Sequence, residues 1–341
     1  MRGLDLNGSF STAPIFVVGQ PRSGSTLLTR ILNEAPQLFV INDFYVLQQI
    51  DAAGLWGPLS SAQARQIADW IYDRIHIRAT EEREKTISQS IELTDGQLAS
   101  LSEVVRSDWS EGLSWHDVLG QVMGAATRIG GHAQWGYNTP QDYLHLDRLF
   151  AAFPNARAVF LLREPVSLLK SYKNVSGEWH DARRYNPTAI GLAWRAAARS
   201  YLHWRKSEPE RVMFLRYDEL VGGGTEVLAR LSAFVGATIP PMDLGSLGHN
   251  SSHLPGQRPL PVSENEVWLA TRPIREELKL LGFDVPNVSL HVGGLGSVAS
   301  IYASGLAFHL RGLALDPDRR KRIVRLIQSS LSRDLVYKRA S

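Results

Sequence analysis

The run Gly19-Gln20-Pro21-Arg22-Ser23-Gly24-Ser25-Thr26 follows an apolar stretch, Ala13–Gly19 (APIFVVG), and leads at once into a segment with helical apolar spacing. Residues of these types in this order can hold an anion. The glycines let the backbone wrap the ligand, the helix N-terminus beyond Gly24 aims amide hydrogens and its dipole at it, and Ser25 and Thr26 add hydroxyls. The spacing is that of the nucleotide phosphate loop G-x-x-x-x-G-K-S/T, but Ser25 stands where the lysine would be. Arg22 supplies the charge instead, and a planar guanidinium suits a less charged group than a magnesium-bound triphosphate. Tight packing alone also produces strand, glycine turn and helix; the added arginine and the spacing favour the anion site.

A second cation, Arg163, ends the apolar stretch Ala158–Leu162 (AVFLL). A nucleotide triphosphatase carries a metal-binding aspartate at such a strand end. None is evident here, so the site reads as doubly cationic and metal-free. Ser171 lies eight residues on, in a helix opened by Pro165, within reach of the same phosphate. The competing reading pairs Arg163 with its neighbour Glu164 on the surface.

The elements that must carry these groups alternate. The buried-strand pattern of residues 13–19 is followed by a helix over STLLTRILNEAP that Pro36 stops, a second strand at Leu38–Ile41, and a helix over FYVLQQI. After residue 130 come the strand HAQWGYN, the helix QDYLHLDRLFAAF, the strand ARAVFLL, the helix PVSLLKSYKNV, a long helix around AIGLAWRAAARSYLHWRKS, the strand RVMFLRY and further helices to about Leu281. This alternation predicts an α/β fold with a central parallel sheet flanked by helices. Residues of about 50–130 are polar, tryptophan-dotted and helical, which reads as an inserted cap, with Trp56, Trp109 and Trp115 candidates to line an acceptor pocket. The core ends near Pro286, giving one domain over 1–286 and a helical extension over 287–341. From Asp316 onward eight Lys or Arg stand against three Asp, a basic amphipathic surface helix with contact to a membrane surface or a carrier protein as its sharper reading. Gly222–Gly224 follows no clean strand and reads as the end of one helix before Thr225 caps the next. His249 and His253 lie in a Gly/Pro-rich loop with no carboxylate nearby, a poor metal site.

Bulk composition sets the outer limits. The chain has 341 residues, 44% hydrophobic and 21% charged, ordinary values for a folded protein. A net charge of +3 fits an anionic ligand but falls short of a nucleic-acid-binding surface. With no cysteine there is no disulfide, thiolate nucleophile or cysteine metal site. No apolar leader or membrane-length apolar stretch appears, and the expected location is the cytoplasm.

PIFVVGQPRSGSTLL resembles the 5′-phosphosulfate loop of the sulfotransferases that use 3′-phosphoadenosine 5′-phosphosulfate, and AVFLLREPVSLLKS resembles their 3′-phosphate motif. TPQDYLHLDRLFAAFPNAR and FLRYDELV follow in the family's order, so the likeness covers about residues 13–285. It implies a three-layer, P-loop-like fold and transfer of a sulfuryl group from that donor to a hydroxyl of a small-molecule, carbohydrate or carrier-bound acceptor, without a metal. By the resemblance, Arg22, Ser23, Gly24, Ser25 and Thr26 hold the 5′-phosphosulfate, Arg163 and Ser171 the 3′-phosphate, and Tyr217 approaches the adenine. Ser251, Ser252 and Arg258, in the loop HNSSHLPGQRPLP, correspond to a late loop that closes over the donor. In some branches a glutamate follows the second strand as general base; Asp43 takes that place, with Phe44, Tyr45 and the cap to desolvate it. Capping of the next helix is the other reading of Asp43. Glu34, or one of His116, His132, His145 and His180, is the fallback base. Asn138 departs from the pattern, because the family has lysine before Thr139-Pro140 to neutralise the leaving oxygen. A donor-binding protein with impaired catalysis and a P-loop phosphotransferase are the alternatives.

Overall fold

The computed structural model describes residues 13–80, 91–174, 185–242, 259–294, 296 and 299–303. Five strands form one sheet: β1 (Ile15–Gly19), β2 (Leu38–Ile41), β3 (Gln134–Asn138), β4 (Arg157–Leu162) and β5 (Val212–Arg216). Their order is β2-β3-β1-β4-β5 and every pairing is parallel. β1 is central, in register with β3 through Ile15 and Gly136 and with β4 through Gly19 and Leu161. All five residues of β1 are buried, as a parallel strand covered on both faces requires. Side chains alternate between two cores. Ile15 and Val17 join Val40, Val159 and Leu161 on one face, and Phe16 and Val18 join Phe39, Ile41 and Phe160 on the other.

Helix α1 (Ser25–Asn33) lies on the first face through Leu28, Ile31 and Leu32. The Asn33 side chain bonds both backbone groups of Val40 at 2.8 Å, satisfying part of the open edge of β2. On the other face follow α2 (Val46–Ala53), α3 (Ser61–Thr80), α4 (Asp95–Arg106) and α5 (Trp115–Ile129). Capping boxes at Thr94/Gln97 and Ser114/Asp117 start α4 and α5. The helices α3, α4 and α5, which fall within the expected 50–130 insertion, pack on one another, and α5 packs on β3. Trp109 and Trp115 are buried in that shared core. Trp56 lies against the edge of the same core, its indole edge-on to Trp115.

A 3₁₀ segment (Pro140–His145) and α6 (Leu146–Ala152) follow β3, and α7 (Pro165–Lys173) follows β4. Pro165 occupies the first turn of α7, as its fixed φ and missing amide favour. Helix α8 (Pro187–Ser207) leads to β5, followed by α9 (Tyr217–Gly222), α10 (Gly224–Val235), α11 (Glu264–Thr271) and α12 (Arg275–Leu280). Helix α10 already starts at Gly224 with Gly223 as its cap, so Thr225 does not cap it. Of the helical extension expected over 287–341, residues 287–294, 296 and 299–303 are described and residues 304–341 lie outside the described residues. No helix among the described residues is long and apolar enough to cross a membrane.

Candidate active site

The site forms at the carboxyl ends of β1, β2, β3 and β4, where an open parallel sheet leaves its crevice. Gly19 leaves β1 with φ 142°, and a Cβ there would stand 2.1 Å from the Leu161 carbonyl oxygen, so only glycine permits the turn so close to β4. Gly24 precedes α1 with φ 94°, and a Cβ on it would meet the Tyr217 ring at 2.4 Å. Three non-glycine residues have positive φ among those described: Arg22 (72°), Asp43 (50°) and Tyr45 (53°). Such conformations cost about 1–3 kcal/mol each and gather where surrounding contacts enforce a geometry. All three belong to this site.

The two predicted cations converge. Arg22 Nε donates to Ser171 Oγ at 3.4 Å, joining the β1 loop to α7 across 149 residues of sequence. Burial lowers the pKa of Arg22, and the like charge of Arg163 lowers it further, while Tyr172, Asp43 and Tyr45 act to raise it. Arg163 stacks its guanidinium 4.3 Å from the centre of the Tyr217 ring. Its Nε is buried without a partner among the described residues. Glu164 is not the partner of Arg163 that the sequence allowed. It caps α7 instead, its two carboxylate oxygens accepting from the amides of Val166 (2.8 Å) and Ser167 (2.7 Å), the arrangement that satisfies the open donors of a helix start. Ser23 is 0% exposed, and its hydroxyl likewise lacks a protein partner among the described residues. Buried donors left open beside a glycine cradle suit an anion that accepts several hydrogen bonds.

A second network holds Asp43. Its Oδ2 accepts from Arg78 Nη2 and from Asn42 Nδ2, each at 3.3 Å, and its Oδ1 accepts from the Tyr45 hydroxyl at 3.3 Å. It does not cap α2, whose cap residue is Tyr45 and makes no side-chain capping bond. Burial first, then the charge of Asp43, push the Tyr45 phenol up, keeping it a protonated donor. Asn42 also donates to Thr26 Oγ1 at 3.3 Å, so one amide spans the phosphate loop and the carboxylate. Asn138, 0% exposed, donates from Nδ2 to Asn42 Oδ1 at 2.5 Å, its backbone oxygen accepting from the Phe44 amide at 3.0 Å. Its side chain thus links the end of β3 to the residue that follows β2. Beside it, Thr139 Oγ1 accepts from the Tyr45 amide at 3.0 Å.

Four of the other expected bases are among the described residues. Glu34 caps the far end of α1, about 13 Å along the axis from the loop at the rise of an α-helix. His132 bonds the Pro36 carbonyl oxygen through Nδ1 at 2.9 Å, near the amino ends of β2 and β3. His116 packs against Trp115 and Phe153, and His145 against Trp56. His180, His249, Ser251, Ser252, His253 and Arg258 lie outside the described residues. Sequence reasoning missed Asn42, Arg78 and the Gln20–Tyr172 contact, in which the amide donates to the phenol at 3.4 Å. Gln20 and Asn42 adjoin residues already singled out, whereas Arg78 gives no local signal at the end of a long amphipathic helix.

A profile of the sulfotransferase family matches residues 14–241, more than half of the chain and including every strand of the sheet. The chain belongs to the sulfotransferase family. Among solved structures, the sulfotransferase domain of the Synechococcus PCC 7002 olefin synthase aligns with a TM-score of 0.52 at 17% identity, covering 80% of this chain and 96% of that one. The sulfotransferase domain from the curacin biosynthetic pathway aligns with a TM-score of 0.49 at 19% identity, covering 82% and 100%. At such identities the likeness to the olefin synthase domain speaks for the fold alone. No curated protein matches the chain. This sulfotransferase has the α/β architecture expected of it, with an all-parallel sheet between helical layers. Membership implies sulfuryl transfer to a hydroxylated acceptor.

Proposed function

We propose that the protein transfers the sulfuryl group of 3′-phosphoadenosine 5′-phosphosulfate to a hydroxyl of a small-molecule, carbohydrate or carrier-bound acceptor, with Asp43 as general base and no metal. The observation that carries this is the meeting of Arg22, Ser171 and Arg163 around a glycine turn, where side-chain hydrogen bonds join the β1 loop to α7. Two guanidiniums held close to one another favour a ligand with two anionic ends. In this reading the loop amides, Ser23 and Arg22 hold the sulfated end, and Arg163 the ribose phosphate. The Tyr217 ring, already stacked on Arg163, borders the adenine side.

The chemistry is an in-line displacement. The acceptor oxygen forms a bond to sulfur as the bond from sulfur to the 5′-phosphate oxygen breaks, the hydroxyl proton passes to the Asp43 carboxylate, and adenosine 3′,5′-bisphosphate departs. Arg22 and the helix terminus of α1 offset the charge that develops on the departing phosphate. Asn138 contributes by fixing Asn42, and through it both Thr26 and Asp43.

Incubation of the protein with the donor and a panel of phenols, alcohols and sugars, with EDTA present, is expected to release the bisphosphate with one acceptor class. Asp43→Asn is expected to reduce the rate at least about a hundredfold, the scale of a lost general base, with bisphosphate affinity unchanged. A requirement for magnesium, or stabilisation by ATP exceeding that by the bisphosphate, would point to phosphoryl transfer. One observation favours a donor-binding protein of impaired turnover: residue 138 carries no charge toward the leaving group. Tight bisphosphate binding without product from any acceptor is its signature.

A further inference from the structure

We infer that Arg78 is a positioning residue of this site, holding the Asp43 carboxylate oriented for the acceptor and thereby tying the helices α3–α5 to the chemistry. The inference rests on the sulfuryl-transfer reading. Arg78 stands in the last turn of α3, 35 residues from Asp43, and its guanidinium reaches Oδ2 at 3.3 Å. The two side chains are 19% and 33% exposed, so the pair is partly desolvated and is not one of the surface ion pairs that contribute little. Asp43 and Tyr45 sit in left-handed conformations on either side of Phe44, a turn that relaxes unless tethered. The tethers are Arg78, the Tyr45 hydroxyl and the Asn42 amide on the carboxylate, and Thr139 on the Tyr45 amide.

Arg22 lies close enough for its charge and that of Asp43 to act on one another, and Tyr45 feels Asp43, Arg78 and the buried Asp142. Arg78, carried by α3 and not by the donor loop, bonds the Asp43 carboxylate directly. Its loss therefore leaves the carboxylate to the Tyr45 hydroxyl and the Asn42 amide, and a carboxylate free to turn no longer meets the acceptor hydroxyl in the geometry that proton transfer needs.

The test uses the full chain carrying ¹³C-labelled aspartate carboxyls, with Asp43→Asn to assign the Asp43 signal, in wild type, Arg78→Gln and Arg78→Lys. At one fixed pH the unliganded Asp43 signal should move and broaden in Arg78→Gln as the carboxylate loses its tether, and less so in Arg78→Lys. Turnover in Arg78→Gln should fall about tenfold or more, with partial recovery in Arg78→Lys, while bisphosphate affinity stays within about threefold in both variants. An Asp43 signal and a turnover unchanged in both variants overturn the proposal, and if the glutamine variant does not fold, the lysine variant alone decides. A wild type that ignores the bisphosphate refutes the donor reading instead, while the unliganded Asp43 signal still judges Arg78.

Discussion

Asn138→Ala separates a bracing role for this residue from direct contact with the donor. The wild-type amide is fully buried and gives one hydrogen to Asn42 Oδ1 at 2.5 Å; Asn42 in turn serves Thr26 and Asp43. Truncation leaves the Asn42 carbonyl buried without its donor, which costs about 1–3 kcal/mol. The vacated volume, about 30 Å³, adds about 0.7 kcal/mol at about 24 cal/mol per Å³. The sum, about 2–4 kcal/mol, corresponds to a fall in Tm of about 3–7 °C for a domain of this size. Bisphosphate affinity should fall only modestly, because the loop keeps Arg22, Ser23 and its amides, whereas turnover should fall more as Asp43 loses its second-hand support. Asn138→Lys should destabilise the protein by about 3 kcal/mol or more, since an ammonium would replace a neutral amide in a fully buried position. Scanning calorimetry and bisphosphate titration calorimetry measure both quantities. An unchanged Tm in Asn138→Ala together with a large loss of bisphosphate affinity would refute the bracing argument, as would a lysine variant that is both stable and faster.

Further outcomes follow from other contacts. Arg163→Ala should weaken bisphosphate binding about tenfold to a hundredfold in titration calorimetry, the range of a lost charge-assisted hydrogen bond, and unchanged affinity would separate Arg163 from the ligand. Gly24→Ala forces a left-handed alanine and displaces the Tyr217 ring, so both Tm and bisphosphate affinity should drop; a variant indistinguishable from wild type would show that the turn is looser than described. Asp142 is fully buried, and burial pushes its carboxyl up to about 8 against a modest opposing effect of the nearby Tyr137 hydroxyl, which makes no well-formed bond with it. Its folded-state pKa is raised, so below about pH 4 the group is neutral in both the folded and the unfolded chain; above that the unfolded chain gains by ionising, and stability falls from about pH 4 to about pH 8. Asp142→Asn should therefore stabilise the protein by about 5 kcal/mol at pH 8, at about 1.4 kcal/mol per unit, and little at pH 4, and equal effects at both pH values in urea titrations would refute the assignment.

What could be read from the residues in order is local. An apolar run, two spaced glycines and an amphipathic helix specify the phosphate loop because each depends on neighbouring residues: strand burial, positive φ and helical periodicity. The strand–helix alternation likewise called for a parallel sheet, since parallel neighbours need a crossover between them. Arg22, Arg163 and Asp43 were visible because each sits at the end of a strand. What those residues do to one another came from packing. Glu164 and Asp43 each had a local alternative, one pairing and one capping, and both outcomes were reversed: Glu164 became a cap through the amides two and three residues on, and Asp43, by a contact across 35 residues, the partner of Arg78. Asn138 stands at a position that the family resemblance assigns to the leaving oxygen, and the closeness of the β2 and β3 ends brings its amide onto Asn42. Long-range contacts of this kind carry no periodicity, because the side chain that satisfies a buried polar group is chosen by which strand ends and helices meet, and the sheet order that brings them together is not written in any single window of residues.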